Sequence, residues 1–352
     1  MKRLAAGFVL ALAASLSACS GLAGGLFAPG MPLVTADPNA PATPTAFMPM
    51  LPTETPIPAP TATPGPTATP TPVNPWGSFP GPIERSAIEI PPPLPPLSLG
   101  KGAVTIALLG SDIRPNDGGW RTDTTLIVVL DPAAGTAHIL AVPRDLYVYI
   151  PGWRVDRINT ADVHGGFEML AQTIEYNFGI PIDHMVRIDF SGFMRLVDTL
   201  GGLDVQVTGY LNDECGRRYW TYSPGVYHMD GFTALCYVRM RYASSDFDRL
   251  RREQEVLLAL FDRVVSLNGL ARIPELYEQF RSLVKTDMEV NDLLPLVPLA
   301  TSLAADRTRV SLHRVDPTVV TSWLVPYSGA NVLLPNRDAL LEMLRTIFAP
   351  PA

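Results

Sequence analysis

From Pro38 to Pro75 the chain alternates proline, threonine and alanine, and a second proline run covers Pro91 to Pro96. No other feature limits the fold as much. A stretch of this composition carries too little apolar surface to offset the entropy of ordering it. Proline keeps it extended at about 3.1 Å per residue, a semi-rigid stalk on the order of 100 Å long. Residues 19–97 are therefore read as a disordered Pro/Thr/Ala-rich linker, and the folded part is expected to begin near Leu97.

The residues before the linker set the compartment. Lys2 and Arg3 form a positive region, and Ala5 to Leu16 an apolar one too short to span a bilayer. Leu16-Ser17-Ala18-Cys19 looks like a bacterial lipobox. Residues 1–18 are then a lipoprotein signal peptide, cleaved before Cys19, whose thiol carries the lipid and anchors an extracytoplasmic protein to the membrane. The alternatives are an ordinary secretory signal with a chance cysteine, or an uncleaved anchor. The stalk would give the domain reach from the membrane towards the cell wall. The remaining cysteines, Cys215 and Cys236, are expected to pair in an oxidising exterior; two reduced, buried thiols are the other reading.

The charge balance is −7, from 27 basic and 34 acidic residues, which points away from a nucleic-acid partner. Lys2, Lys101 and Lys285 are the only lysines, so nearly all positive charge is arginine. A codon bias towards arginine explains that as readily as chemistry does. The placement of the arginines has to carry any functional argument.

Apolar periodicity gives the elements. Ala103–Leu109, ending in Gly110, reads as a buried strand, and residues 124–130 and 138–142 as a hairpin around Asp131-Pro132-Ala133-Ala134-Gly135. Phe167, Leu170, Ala171, Ile174 and Phe178 keep helical spacing up to Gly179 and read mainly as core. Strands are expected over 185–188 and 203–207, and helices over 192–200, 230–238 and 247–267. Strands alternating with helices predict an α/β layered domain. After Asn268 the chain reads as plain helix over 273–283, 292–303 and 338–347, with a late strand at 309–313. Residues 98–268 are taken as the domain core and 269–352 as a helical extension packed on it.

Within the core, Arg and Asp recur in short clusters: Gly110-Ser111-Asp112, Arg121-Thr122-Asp123-Thr124, Pro143-Arg144-Asp145, Arg157-Ile158-Asn159, Arg239-Met240-Arg241, and Asp246 to Gln254. Guanidinium groups grip phosphate oxygens directly, whereas carboxylates reach them only through a divalent metal. Asp112 follows a buried strand, at the end where open α/β sheets bind ligands. Asp123 precedes the next strand, and the intervening Asn116-Asp117-Gly118-Gly119 allows the two carboxylates to meet on Mg²⁺. Otherwise Asp112 caps a turn and Asp123 pairs with Arg121. Arg239 and Arg241 share a face only in an extended stretch; Arg249 and Arg252, three apart, are expected on one helix face.

The order of these clusters, with Phe190-Ser191-Gly192-Phe193 and Leu200-Gly201-Gly202-Leu203-Asp204-Val205 between them, resembles the LytR-CpsA-Psr (LCP) family over roughly residues 101–305. The resemblance implies a central mixed β-sheet sandwiched between helical layers and an apolar tunnel for a polyprenyl chain. It implies Asp112 and Asp123 as Mg²⁺ ligands and Arg121, Arg144, Arg239 and Arg241 as pyrophosphate-binding residues. Arg157 and Asn159 match a Lys/Arg-Ile-Asn segment, Gln254 stands in an Arg-Gln-Gln position whose first Gln is Glu253 here, and with Arg249 and Arg252 the resemblance counts them among the pyrophosphate ligands. Asp145 either orients Arg144 or acts as a base. The implied activity is a phosphotransferase that moves a glycopolymer from polyprenyl pyrophosphate to an envelope hydroxyl, typically of peptidoglycan. A non-catalytic polyprenyl-lipid binding protein and a pyrophosphate hydrolase remain as alternatives. A lipidated cysteine departs from the transmembrane helix usual in that family.

Overall fold

The computed structural model describes residues 75–113, 120–241 and 245–348. Cys19, the signal segment, most of the linker and Asn116 to Gly119 lie outside them. The first half contains β1 (Val104–Ser111), β2 (Thr122–Asp131), β3 (Thr136–Val142), β4 (Tyr147–Tyr149), β5 (Val155–Arg157), α1 (Ala161–Phe178), β6 (His184–Asp189) and α2 (Phe190–Thr199). Next come β7 (Leu203–Val207), β8 (Leu211–Cys215), β9 (Arg218–Tyr222), β10 (Gly225–Met229), α3 (Gly231–Arg239) and α4 (Asp246–Ser266). The rest holds α5 (Ile273–Phe280), β11 (Val284–Thr286), α6 (Val290–Leu293), α7 (Val297–Ala305), β12 (Val310–Arg314), β13 (Val320–Leu324), β14 (Asn331–Pro335) and α8 (Arg337–Ile347).

Six strands form one mixed sheet in the order β11-β6-β1-β2-β3-β12. β2 runs antiparallel to both β1 and β3, while β6 is parallel to β1 and β12 parallel to β3. Successive side chains on a strand face opposite ways. Ala107, Leu109, Ile127, Val129, Leu140 and Val142 therefore share one face, where Leu170, Ile174 and Phe178 of α1 and Leu340 and Leu344 of α8 complete the main core. Ile106, Leu126, Val128, Ile139 and Ala141 share the other, covered by Leu250 of α4 and by Met288. The sheet lies between helical layers, as the apolar runs and the family likeness imply.

Local chemistry sets the boundaries. Asp131 Oδ1 accepts from the backbone N–H of Ala133 and Ala134, both at 2.9 Å, and closes the β2–β3 turn. α1 bends at Gly166 (φ 66°), which places the start of its regular stretch at Phe167, where the apolar periodicity begins. Gly179 ends it in the left-handed region (φ 68°). Ser245 and Asp248 form a reciprocal capping box at the start of α4. Cys215 and Cys236 are disulfide-bonded, with Cα atoms 5.7 Å apart, and join β8 to α3.

Two expectations need correction. The domain starts by residue 75, not near Leu97. Trp76, Phe79 and Ile88 pack on the cluster of Tyr149 and Tyr176. Tyr149 Oη donates to the Pro80 carbonyl at 2.7 Å and Tyr176 Oη to the Pro91 carbonyl at 2.6 Å. Proline lacks a donor but keeps its acceptor, so a proline-rich segment can dock as a strap wherever the domain supplies hydroxyls and apolar surface. The second correction concerns residues 269–352, which are not a helical extension. They supply both edge strands of the main sheet, β11 and β12, and the β13–β14 hairpin. Pro295 and Pro298 also break the helix expected over 292–303 into α6, a short 3-10 turn and α7.

Candidate functional site

A cavity of about 660 Å³ lies between the β1-β2-β6 face of the sheet and helices α2, α3 and α4. Its apolar part follows from strand register. Leu108 pairs with Leu126 on one side and with Val186 on the other, which makes a continuous floor. Phe193 and Leu196 of α2, Leu235 and Val238 of α3, and Val256, Leu257 and Leu260 of α4 complete the walls.

The same cavity is lined by Asp112, Arg121, Asp123, Arg144, Arg239, Arg241, Arg249 and Glu253. Topology brings the first four together. Because β2 is antiparallel to β1 and β3, the end of β1, the start of β2 and the end of β3 meet at the same end of the sheet. Asp112 Oδ1 accepts from the Arg121 N–H at 2.6 Å, and the Asp112 N–H donates to the Arg121 carbonyl at 3.1 Å. Arg239 is the last residue of α3, and Met240 leaves the helix in an extended conformation (ψ 133°) with its side chain buried. Arg239 and Arg241 therefore flank Met240 and both reach the cavity wall.

The arginines are held in place by a chain of ion pairs. Arg144 NH1 lies 3.0 Å from Asp123 Oδ1, and its Nε lies 3.3 Å from Asp145 Oδ2. The other Asp145 oxygen meets Arg157 Nε at 3.2 Å. Burial opposes the Arg144 charge, but Asp123 and Asp145 outweigh it and hold the guanidinium above its ordinary pKa. Arg249 NH2 donates to the Asp123 carbonyl at 3.4 Å, and its Nε lies 3.3 Å from Glu253 Oε1. Thr124 Oγ1 donates to that same Glu253 oxygen at 2.9 Å. Burial pushes the Glu253 carboxyl up to about 7, against the pull of Arg249. The Arg239 guanidinium sits over the Phe190 ring, 4.4 Å from its centre.

Four residues read from the sequence as phosphate ligands do not line the cavity. Arg252 is buried, donates through NH2 to the Met240 carbonyl and faces the Tyr237 ring. Helix geometry explains this: a residue four along is offset by about 40°, one three along by about 60° the other way. Glu253 therefore follows Arg249 into the cavity while Arg252 turns towards α3. Gln254 is buried too, and its Nε2 donates to the carbonyls of Ile139 (3.0 Å) and His313 (2.7 Å), stitching α4 to β3 and β12. Arg157 reaches the Asn331 carbonyl at 2.9 Å. The buried Asn159 works through its backbone, where its carbonyl accepts from Thr122 Oγ1 at 3.2 Å. Asp145, with both oxygens on arginines, also stands outside the lining. No place in the site was expected for Glu253, Phe190, or the Glu214-Cys215-Gly216 rim, all of which line the cavity. The change from Gln to Glu at 253 was the one available signal.

Asp112 and Asp123 offer two carboxylates beside the guanidinium groups. Among the described residues no cluster of three or more His, Cys, Asp or Glu can hold a metal ion. Two carboxylates fit Mg²⁺, which commonly keeps several waters and takes its remaining ligands from phosphate oxygens. Among the described residues no helix is long and apolar enough to cross a membrane.

The model of the LytR_cpsA_psr family matches residues 86–346. The polyisoprenyl-teichoic acid–peptidoglycan teichoic acid transferase TagT of Bacillus subtilis is 32% identical over 214 residues, covering 58% of this chain and 66% of the relative. TagV of the same organism, with the same transferase name, is 34% identical over 186 residues, covering 50% and 47%. The chain thus spans less than two thirds of either relative. Among solved structures, B. subtilis TagV superposes with a TM-score of 0.59 at 26% identity over 71% of this chain and 98% of that one. TagT bound to LIIa-WTA superposes with a TM-score of 0.56 at 27% identity over 70% and 91%. With the fold, the family model and the order of the Arg and Asp clusters in agreement, this chain belongs to the LytR_cpsA_psr family.

Proposed function

We propose that this protein is a phosphotransferase that moves a glycopolymer from a polyprenyl-pyrophosphate carrier to a hydroxyl of the cell envelope, with peptidoglycan as the acceptor. One observation carries the reading: a single cavity joins an apolar body to five guanidinium groups and three aspartates, Asp112 and Asp123 among them. An isoprenoid chain needs the first and a diphosphate the second. The likeness to transferases named for polyisoprenyl-linked teichoic acid and peptidoglycan supports the substrate class.

In this reading Arg121, Arg144, Arg239, Arg241 and Arg249 hold the diphosphate oxygens. Asp145 positions Arg144, and Phe190 supports Arg239. Asp112 and Asp123 would hold Mg²⁺, which when bound neutralises charge on the diphosphate. The acceptor oxygen attacks the sugar-proximal phosphorus in line. A new P–O bond forms to the acceptor, the bond to the bridging oxygen breaks, polyprenyl phosphate departs, and the hydroxyl proton passes to solvent. Such a transfer depends on positioning and charge stabilisation, so no strong protein nucleophile is required. Lipid on Cys19 would hold the domain on the outer side of the membrane.

The test uses purified protein, a polyprenyl-pyrophosphate-linked glycan, and peptidoglycan fragments with or without EDTA. Transfer predicts polyprenyl phosphate release only when the acceptor is present. Release without acceptor identifies a hydrolase. Tight donor binding that EDTA leaves unchanged, with no release, identifies a carrier-binding protein.

A further inference from the structure

The β8–β9 hairpin has no part in the transfer step, yet its turn end forms part of the cavity wall through Glu214, Cys215 and Gly216. Gly216 (φ 63°) and Arg217 (φ 61°) make its two-residue turn with both residues left-handed, a geometry that matches strand twist. Two contacts with α3 and one within the hairpin fix it. The disulfide ties Cys215 to Cys236 of α3. Trp220 Nε1 donates to the Cys215 carbonyl at 3.0 Å. The Phe232 ring packs so close to Gly216 that an added Cβ would come within 2.5 Å of it.

Register pairs Glu214 with Tyr219 and Asn212 with Thr221. All four are exposed on one face, while Leu211, Asp213 and Tyr222 turn inward. Tyr219 is 77% exposed. Thr221 Oγ1 donates to Asn212 Oδ1 at 3.2 Å, so the outer pair is ordered. The face thus presents an open aromatic ring among a carboxylate, an amide and a hydroxyl. A pyranose has the complementary surface, with C–H groups on one face and hydroxyls around the rim. From Asn212 to Glu214 a strand rises roughly 7 Å, about the span of one such ring. Cys236 precedes Arg239 by three residues, a rise of roughly 4.5 Å along α3. The Glu214–Tyr219 pair therefore stands beside the guanidinium groups, and the Asn212–Thr221 pair lies one step further from the turn.

We infer that the outer face of this hairpin binds the first sugars of the donor glycan, with Tyr219 stacking on a pyranose and Asn212, Glu214 and Thr221 taking its hydroxyls. This rests on the transferase reading, because the sugar is the one attached to the held diphosphate. Its rigid mounting suits a specificity surface, since little ordering is left for the ligand to impose.

The test compares farnesyl pyrophosphate with the same lipid carrying an N-acetylhexosamine disaccharide on its diphosphate, using the full protein and titration calorimetry. The disaccharide should tighten binding to the wild type at least tenfold. Tyr219→Ala should remove most of that gain, leave farnesyl pyrophosphate binding within twofold, and raise the donor KM rather than lower kcat. Tyr219→Phe should restore the gain, and the double variant Asn212→Ala/Thr221→Ala should lose part of it. Equal weakening of both ligands, no effect of Tyr219→Ala, or a rise in the acceptor KM alone would overturn the inference while leaving the transferase reading intact. A wild type that binds neither lipid would instead remove that reading, and the glycan surface with it.

Discussion

The Arg144 guanidinium stands 3.0 Å from the Asp123 carboxylate, one nitrogen on one oxygen. Both side chains remain partly open to the cavity, at 17% and 32% exposure. The pair therefore does not seal a core, and in the proposed reading it holds the arginine ready for an incoming diphosphate. In the proposed reaction, Arg144→Ala should lower kcat/KM for transfer by about 10²–10³-fold, the usual effect of removing one preorganised donor. Arg144→Lys should recover little of it, because an ammonium cannot serve Asp123, Asp145 and a phosphate from one planar fork. Full activity in either variant, measured as polyprenyl phosphate release, would remove Arg144 from the site.

Asp123→Asn and Asp112→Asn test the proposed metal role separately. Each should shift the Mg²⁺ concentration for half-maximal release upward by at least tenfold, while the unfolding midpoint changes little. An unchanged Mg²⁺ profile in both would leave these carboxylates as arginine-positioning groups only.

Glu253 gives the fold a pH dependence. Its carboxyl ionises near its ordinary value of 4.5 when unfolded but is pushed up to about 7 in the fold. Between these values the unfolded chain has released a proton that the folded chain retains, so stability falls as pH rises through this window. The contribution is fully present below about 4.5 and lost above about 7. Glu253→Gln should therefore match the wild type at about pH 4.5 and exceed it at about pH 8 in urea midpoint. Parallel pH curves for the two proteins would refute the assignment.

Gln254 separates structural from functional expectation. Gln254→Ala bares two buried carbonyls, which should cost about 1–3 kcal/mol for each. The folded fraction should keep its donor KM. Arg249→Ala, at the cavity wall, should raise the donor KM. A KM change in Gln254→Ala without loss of stability would return Gln254 to the ligand set.

Breaking the disulfide with Cys215→Ser/Cys236→Ser should lower stability by roughly 3 kcal/mol, the loop-closure value for a separation of 21 residues. The same loss should appear on reducing the wild type. Titration of the unfolded, unreduced protein that found both thiols free would contradict the bond.

The sequence by itself determined the strands that carry the chemistry. Periodicity located β1 to β3, the Phe167 start of the regular part of α1 and the long α4, because burial on one side forces apolar residues into register. It also grouped Arg and Asp into clusters, five of whose arginines and both of whose metal-candidate aspartates line one cavity. Only the tertiary structure decided which charges face that cavity. Arg249 and Arg252 have the same chemistry and differ only by an angle around α4; one meets the cavity and the other is buried against α3. The short strand β11 was equally hidden, and β12, expected as a strand over 309–313, gave no sign of its place in the sheet, since an edge strand takes its backbone partners from distant residues that local spacing does not reveal. The strap from Trp76 to Leu97 depended on hydroxyls of Tyr149 and Tyr176 far along the chain. Local composition records what a segment offers; its long-range partners determine whether that offer is taken up.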